Sequence, residues 1–227
     1  MSALGDLDLH ATTGFIEPAV AAEVPGLRLE WVRARARRRA SPRALVQRLK
    51  ALSNRYRGAS VVAMRTQPIP HAYRSFFRQI GLDPDIRRIP SEEAAVSRLL
   101  NGEFRSSDLI DDALLIALIE TGVPVWALDG GRVDAGGLGI RTAVQGDRVG
   151  TTEYGSFLAP GTLVVADAGG IHAVLFGELA PGHGVGAAST ELVLFSVAVP
   201  GVPAIHLEEA LWVCVEALGS ARAGRGE

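Results

Sequence analysis

The chain has 227 residues, 48% hydrophobic and 21% charged, with a net charge of −2. This is the composition of a chain that buries a core, and it excludes a disordered acidic or basic tail protein. A single cysteine, Cys214, excludes an internal disulfide and a CxxC metal site and suits a reducing cytoplasm.

The first 25 residues carry no clear periodicity and read as a loose lead-in. They lack the basic start and apolar stretch of a secretory signal. No apolar run reaches the ~18 residues of a membrane span. The expectation is a cytoplasmic protein off the membrane, one domain over 1–227, with an arginine-rich part at 1–60.

Leu27, Leu29 and Trp31 alternate as in a strand. Arg33, Arg35, Arg37, Arg38 and Arg39 follow. Residues 1–100 hold 17 Lys+Arg against 9 Asp+Glu, and residues 101–227 hold 6 against 16. Such asymmetry is compatible with a nucleic-acid contact on the N-terminal side, and equally with arginines solvated on amphipathic faces. The candidates for an RNA face are those five arginines, with Arg74 and Arg78 after them.

Ser41-Pro42 predicts a helix start with serine as cap. Leu45, Leu49 and Leu52 continue at helical spacing. Val61, Val62 and Ala63 suggest a short strand. A helix after Pro70 presents Tyr73, Phe76, Phe77 and Ile80 and closes at Gly81. Ser91 is expected to cap the next helix, with Glu92 and Glu93 in its first turn and Ala95, Val96, Leu99 and Leu100 inward. Residues 109–121 are apolar nearly all round, predicting a helix buried on most sides. Asp112 inside it must be hydrogen-bonded or paired, most simply in a structural role.

From Val123 the pattern becomes β-rich. Apolar runs at 123–128, 138–143, 163–166, 172–176 and 192–199 are separated by glycine and proline turns. A last helix covers about 207–218, where Cys214 shares a face with Leu207, Leu211, Val215 and Leu218, and 220–227 reads as a frayed tail. The glycine clusters at 136–139 and 181–186 lie between strands. They therefore read as turns or bulges and not as phosphate-cradling loops at a helix start.

No GxSxG elbow is present, and none of the five histidines has a partner at metal-ligand spacing, so neither a metal nor a cofactor is expected. His183, in a glycine-rich loop, is the one histidine placed where chemistry concentrates. No residue is assigned as catalytic from sequence.

Residues 90–143 carry a series of short motifs: Pro90-Ser91-Glu92-Glu93-Ala94, Arg98, Asp112, Gly122-Val123-Pro124-Val125-Trp126-Ala127-Leu128-Asp129, Arg141-Thr142-Ala143 and Gly146-Asp147. Leu163-Val164-Val165-Ala166-Asp167 and Thr190 to Ser196 extend the series. In order and spacing it resembles a freestanding B3/B4 domain, the tRNA-editing region of the phenylalanyl-tRNA synthetase β subunit. The core of the resemblance spans 88–200.

The resemblance implies an α+β fold with three β/β/α layers and mixed sheets, and a pocket between sheet and helices that hydrolyses an amino acid wrongly attached to tRNA. An aminoacyl ester is already activated, so positioning a water suffices and no triad is needed. The pocket candidates are Glu93, Asp112, Trp126, Glu178 and His183. The family's helix asparagine is Leu115 here, its pocket histidine is Trp126, and its glutamate loop is replaced by 176–183. An apolar pocket discriminates far less than one that hydrogen-bonds a hydroxyl, which points away from tyrosine specificity. Two readings stand: a trans-acting aminoacyl-tRNA deacylase of altered or relaxed specificity, and a non-catalytic module for RNA or a small amino-acid-like ligand.

Overall fold

The computed structural model describes residues 11–56, 63–134, 136–150 and 155–223. The fold is α+β. One antiparallel sheet has the order β1 (Thr12–Thr13), β3 (Arg28–Arg35), β10 (Glu191–Ala198), β4 (Val125–Asp129). A second sheet has the order β2 (Phe15–Ile16), β5 (Gly139–Thr142), β8 (Leu163–Asp167), β9 (Gly170–Val174), with β2 and β5 parallel. A small ribbon pairs β6 (Arg148–Val149) with β7 (Ser156–Phe157).

The alternation at 27–31 and the apolar run at 192–199 become the central strands β3 and β10. Their register fixes what each face carries. Trp31, Phe195 and Trp126 lie in one row across the sheet, and Val32, Leu194 and Ala127 in the next. Successive residues of a strand face opposite ways, so the two rows serve two layers. The Val32 side meets the helices α5 (Leu109–Thr121) and α6 (Ile205–Ala223), which pack on each other, and Val32 shares a cleft with Ile205, Leu211 and Trp212. The Trp31 side meets the second sheet and α3 (Pro68–Gln79). Trp126 stacks on Phe195, with ring centroids 5.3 Å apart, and touches Phe176 edge-on at 5.5 Å.

Helix α2 (Arg43–Arg55) lies on α5. Arg48 bridges Glu120 of α5 (2.6 Å) and Glu216 of α6 (3.2 Å), tying three helices together. Helix α5 starts on Asp108, whose carboxylate accepts the Ile110 and Asp111 amides, and ends at Gly122 in the left-handed conformation (φ 76). Its burial follows from the lack of a polar face: Leu109, Ile110, Ala113, Ile116 and Ala117 are all buried.

Several expectations change. The described part of the lead-in is regular: β1 joins the first sheet, β2 the second, and α1 (Pro18–Glu23) follows. Two-residue strands are too short to show a period, and their order comes from distant partners. Gly14, between them, donates to Leu29 O at 2.8 Å.

Ser41 does not cap α2. Pro42 holds the N-cap position, and the Ser41 hydroxyl donates to Asp112 instead. Ser91 does not cap α4 (Pro90–Asn101) either: Ile89 does, because Pro90 takes the first helical position. Leu99 (42% exposed) and Leu100 (82%) point to solvent and not inward. Residues 61–62 of the suggested strand lie outside the described residues, and Ala63 is helical. Helix α6 runs on to Ala223, past the expected start of the tail, while 224–227 lie outside the described residues.

Candidate active site at the seam between the two sheets

The hairpin β8–β9 turns at Ala168-Gly169. Asp167 closes the turn, its Oδ1 accepting the amides of Gly169 (2.7 Å) and Gly170 (3.0 Å). Within the hairpin Val165 pairs with Ala173 but Ala166 with Ile171, so His172 is the extra residue of a β-bulge. A bulge re-aims its side chain. Here it turns a histidine with 1% exposure onto Asp167, with His172 Nε2 2.7 Å from Asp167 Oδ2.

The other ring nitrogen of His172 meets His183. The two Nδ1 atoms are 2.9 Å apart, a hydrogen-bond distance. His183 sits on the 176–186 loop, which both sheets hold. Val174 N–H donates to Glu178 O (3.1 Å) and Ala180 N–H to His172 O (2.7 Å) on the β9 side. Asp129 N–H donates to His183 O (2.9 Å), and Leu128 bridges Gly184, on the β4 side. Asp167, His172 and His183 thus form a chain across the seam.

At the Nδ1–Nδ1 contact one ring donates and the other accepts. With the proton on His183 Nδ1, the lone pair of that ring is left on Nε2. No described residue hydrogen-bonds that Nε2. Asp167 is held below the usual carboxylate range: burial opposes ionisation, but the Asp134 amide (2.6 Å), His172 and the Gly169 amide outweigh it. Burial, then the charges of His172 and Arg132, hold His183 below the ordinary histidine value, with Asp167 opposing. At neutral pH His183 is therefore an unprotonated base with a carboxylate behind it, which is the arrangement of a general base.

Two arginines of the 33–39 run brace this seam. Arg33 donates to Gly130 O (3.3 Å) and Val133 O (3.4 Å), on the turn after β4. Arg38 donates to Val185 O (2.9 Å), two residues past His183, and pairs with Asp108 and with Asp111 (3.1 Å). Beside them Asp129 accepts the Ser189 hydroxyl at 2.7 Å, which fixes the far end of the loop.

The other residues singled out in the sequence are dispersed. Arg35 pairs with Glu191 (3.3 Å), Arg39 is half-buried, and Arg37 is exposed. Arg74 is buried against Glu92 (2.9 Å) and Asp85 (2.7 Å), whereas Arg78 is exposed. Asp112, 1% exposed, accepts the hydroxyls of Ser41 and Ser106 and the Ser107 amide. Glu93 and Glu178 are exposed.

Trp126 belongs to an aromatic cluster with Phe195 and Phe176, and Phe176 also contacts Tyr73, Phe76 and Phe77 of α3. Phe176 takes φ 54, a conformation costly for a side chain of this size. A 370 Å³ cleft lies elsewhere, between Val20 of α1, Val24, Leu82, Arg87 and Val174, and includes neither His172, His183 nor Asp167.

Sequence reasoning singled out His183 and missed its partners. Asp167 appears only as the end of a strand and His172 as one position in an apolar run. Their meeting depends on a one-residue bulge that alternation cannot show. Among the described residues no group of three or more His, Cys, Asp or Glu is arranged to hold a metal ion, and no helix among them is long and apolar enough to cross a membrane. No family model matches the chain, and neither does any curated protein.

Proposed function

We propose that this protein hydrolyses an aminoacyl ester carried by RNA, acting in trans, with His183 as the general base. The observation that carries this reading is the Asp167–His172–His183 chain, ending on a loop in an Nε2 that no described residue hydrogen-bonds. Water gives its proton to Nε2 as its oxygen bonds to the ester carbonyl carbon. The imidazolium is stabilised through Nδ1–H to His172 and by the Asp167 charge. Return of that proton to the departing ribose oxygen as the C–O bond breaks yields amino acid and free RNA end. Support comes also from the arginines beside the loop and from the resemblance to the B3/B4 editing domain. The positions where the resemblance expects an asparagine and a histidine are Leu115 and Trp126, which favours broad acyl specificity.

The test is release of amino acid from a panel of correctly and wrongly charged tRNAs. Wild-type protein is expected to accelerate release for several of them. A positioned general base contributes about 10²–10⁴-fold, so His183→Gln is expected to lower kcat by that range with KM nearly unchanged. The acid limb of the kcat/KM profile is expected below the ordinary histidine value, because the base must be unprotonated. No acceleration over buffer for any tRNA removes the reading.

One observation favours a non-catalytic alternative. Trp126, Phe176 and Phe195 fill the space between the first sheet and α3. RNA retention without turnover, weakening steeply with salt, is the outcome that supports it.

A further inference from the structure

The turn after β4, Gly130–Arg132, is held on several sides. Asp129 Oδ1 accepts the Gly131 amide at 3.0 Å, and Arg33 holds the carbonyls of Gly130 and Val133. Asp134 N–H is bound to Asp167 Oδ2 at 2.6 Å. A Cβ on Gly130 would lie 3.0 Å from the Glu191 carbonyl, so the turn sits hard against the start of β10. The backbone of Arg132 is therefore fixed between Asp129, which is paired to His183, and Asp134, which is paired to the relay carboxylate.

The Arg132 side chain is treated differently. It is exposed, and no described residue hydrogen-bonds or ion-pairs with it, although Arg33 and Arg38 beside it are both engaged. Its charge still reaches the His183 imidazole and disfavours protonation there. The charged groups around His183 are His172 and Asp167 on the hairpin side, and Arg132 with the Asp129 carboxylate on the β4 side. Asp129 already accepts from Ser189 and Gly131. A guanidinium with open donors, carried on a fixed backbone beside a general base, is suited to bidentate recognition of an oxyanion.

We propose that Arg132 is the anion-binding group of this site and that the ester cleaved there carries a phosphate on its alcohol half. The proposal rests on the general-base reading of His183. The acyl half of an aminoacyl ester brings an ammonium group, which Arg132 repels, so the anion must come from the other half. A phosphate at Arg132 also offsets the charge that disfavours the imidazolium, so binding strengthens the base at the moment it is needed.

The test uses the full chain and needs no turnover for its first arm. The His183 imidazole is titrated by NMR with and without inorganic phosphate, in wild type and in Arg132→Gln. The expected result is that phosphate raises the His183 titration midpoint in wild type only, and that Arg132→Gln raises it without phosphate. The second arm compares an aminoacyl ester of adenosine with the same ester of adenosine 5′-phosphate. Loss of a charge-assisted contact is expected to raise KM in Arg132→Gln at least about tenfold more for the phosphate-bearing ester than for the adenosine ester. An equal phosphate response in Arg132→Gln, or an equal loss on both esters, overturns the proposal. A titration that behaves as expected while neither ester is cleaved keeps the anion site and removes the hydrolase reading.

Discussion

At the scale of single residues, Asp112 and His183 are the instructive pair. Both were visible in the sequence as a polar residue in an unusual setting. Asp112 is polar in an apolar helix, and its three donors are supplied by Ser41, Ser106 and Ser107. It anchors the approach to α2 and the approach to α5 at one point. Replacing it with alanine leaves those donors without an acceptor, and the expected loss is about 2–4 kcal/mol in urea unfolding, with Asp112→Asn intermediate. If Asp112→Ala unfolds like wild type, the carboxylate is not the anchor described. His183 was legible as a loop histidine, but its function lies in what stands behind it. Asp167 and His172 reach it through geometry that no single-residue reading supplies.

At the scale of elements, the sequence showed long regular segments well and short ones poorly. Helix α5 and strands β3 and β10 follow from composition and alternation, because their own residues carry the pattern over eight or more positions. β1 and β2 have two residues each and take their order from β3 and β5. The caps fall away from Ser41 and Ser91 because of the neighbouring prolines: Pro42 itself holds the N-cap of α2, one residue later, and Pro90 at the first helical position puts the N-cap of α4 at Ile89, two residues earlier. The Ser41 hydroxyl is then used by Asp112.

Gly139 shows how tightly the short elements are fitted. A side chain there would strike the ring and the carbonyl oxygen of Phe15, its neighbour in the parallel pair β2–β5. Gly139→Ala is expected to cost about 2 kcal/mol or more, by forcing β2 off the second sheet. Gly219→Ala, on α6 with nothing within 4 Å of the added carbon, is expected to be neutral or stabilising by up to about 1 kcal/mol. Equal denaturation midpoints for the two variants would contradict this fit.

At the scale of the whole molecule, part of the charge asymmetry of the sequence is spent in pairing between its two halves. Arg48 binds Glu120 and Glu216, Arg38 binds Asp108 and Asp111, and Arg35 binds Glu191. Basic residues of the first hundred thus meet acidic residues of the second part, which a linear count reads as two poles. Exposed arginines remain on both parts, among them Arg28, Arg37, Arg43, Arg55, Arg78, Arg105 and Arg132.

The pH dependence of stability also belongs to this scale. His183 is depressed, so as pH falls below ~6.5 the unfolded chain takes up a proton that the folded chain refuses, and stability declines. Asp167, Asp147 and Glu17 are depressed as well, each through hydrogen bonds to its carboxylate. Their contribution is complete above ~4 and is lost as pH falls through their folded values. The urea midpoint is therefore expected to fall in two stages, a shallow one below ~6.5 and a steeper one below ~4. His183→Gln is expected to abolish the first stage and keep the second. A single acid transition in wild type would contradict the assignment.

The chain from Asp167 to His183 begins on one sheet and ends on a loop stitched to the other. All three residues lie within 167–183, on one hairpin and the loop after it, and the first sheet holds that loop through the Asp129 amide on His183 O. Were the sheets to slide past one another by a single residue, the hairpin would keep its own pairing while the loop lost its second anchor. The imidazole at its end would then lose its fixed aim, so the site registers how well the two layers are aligned.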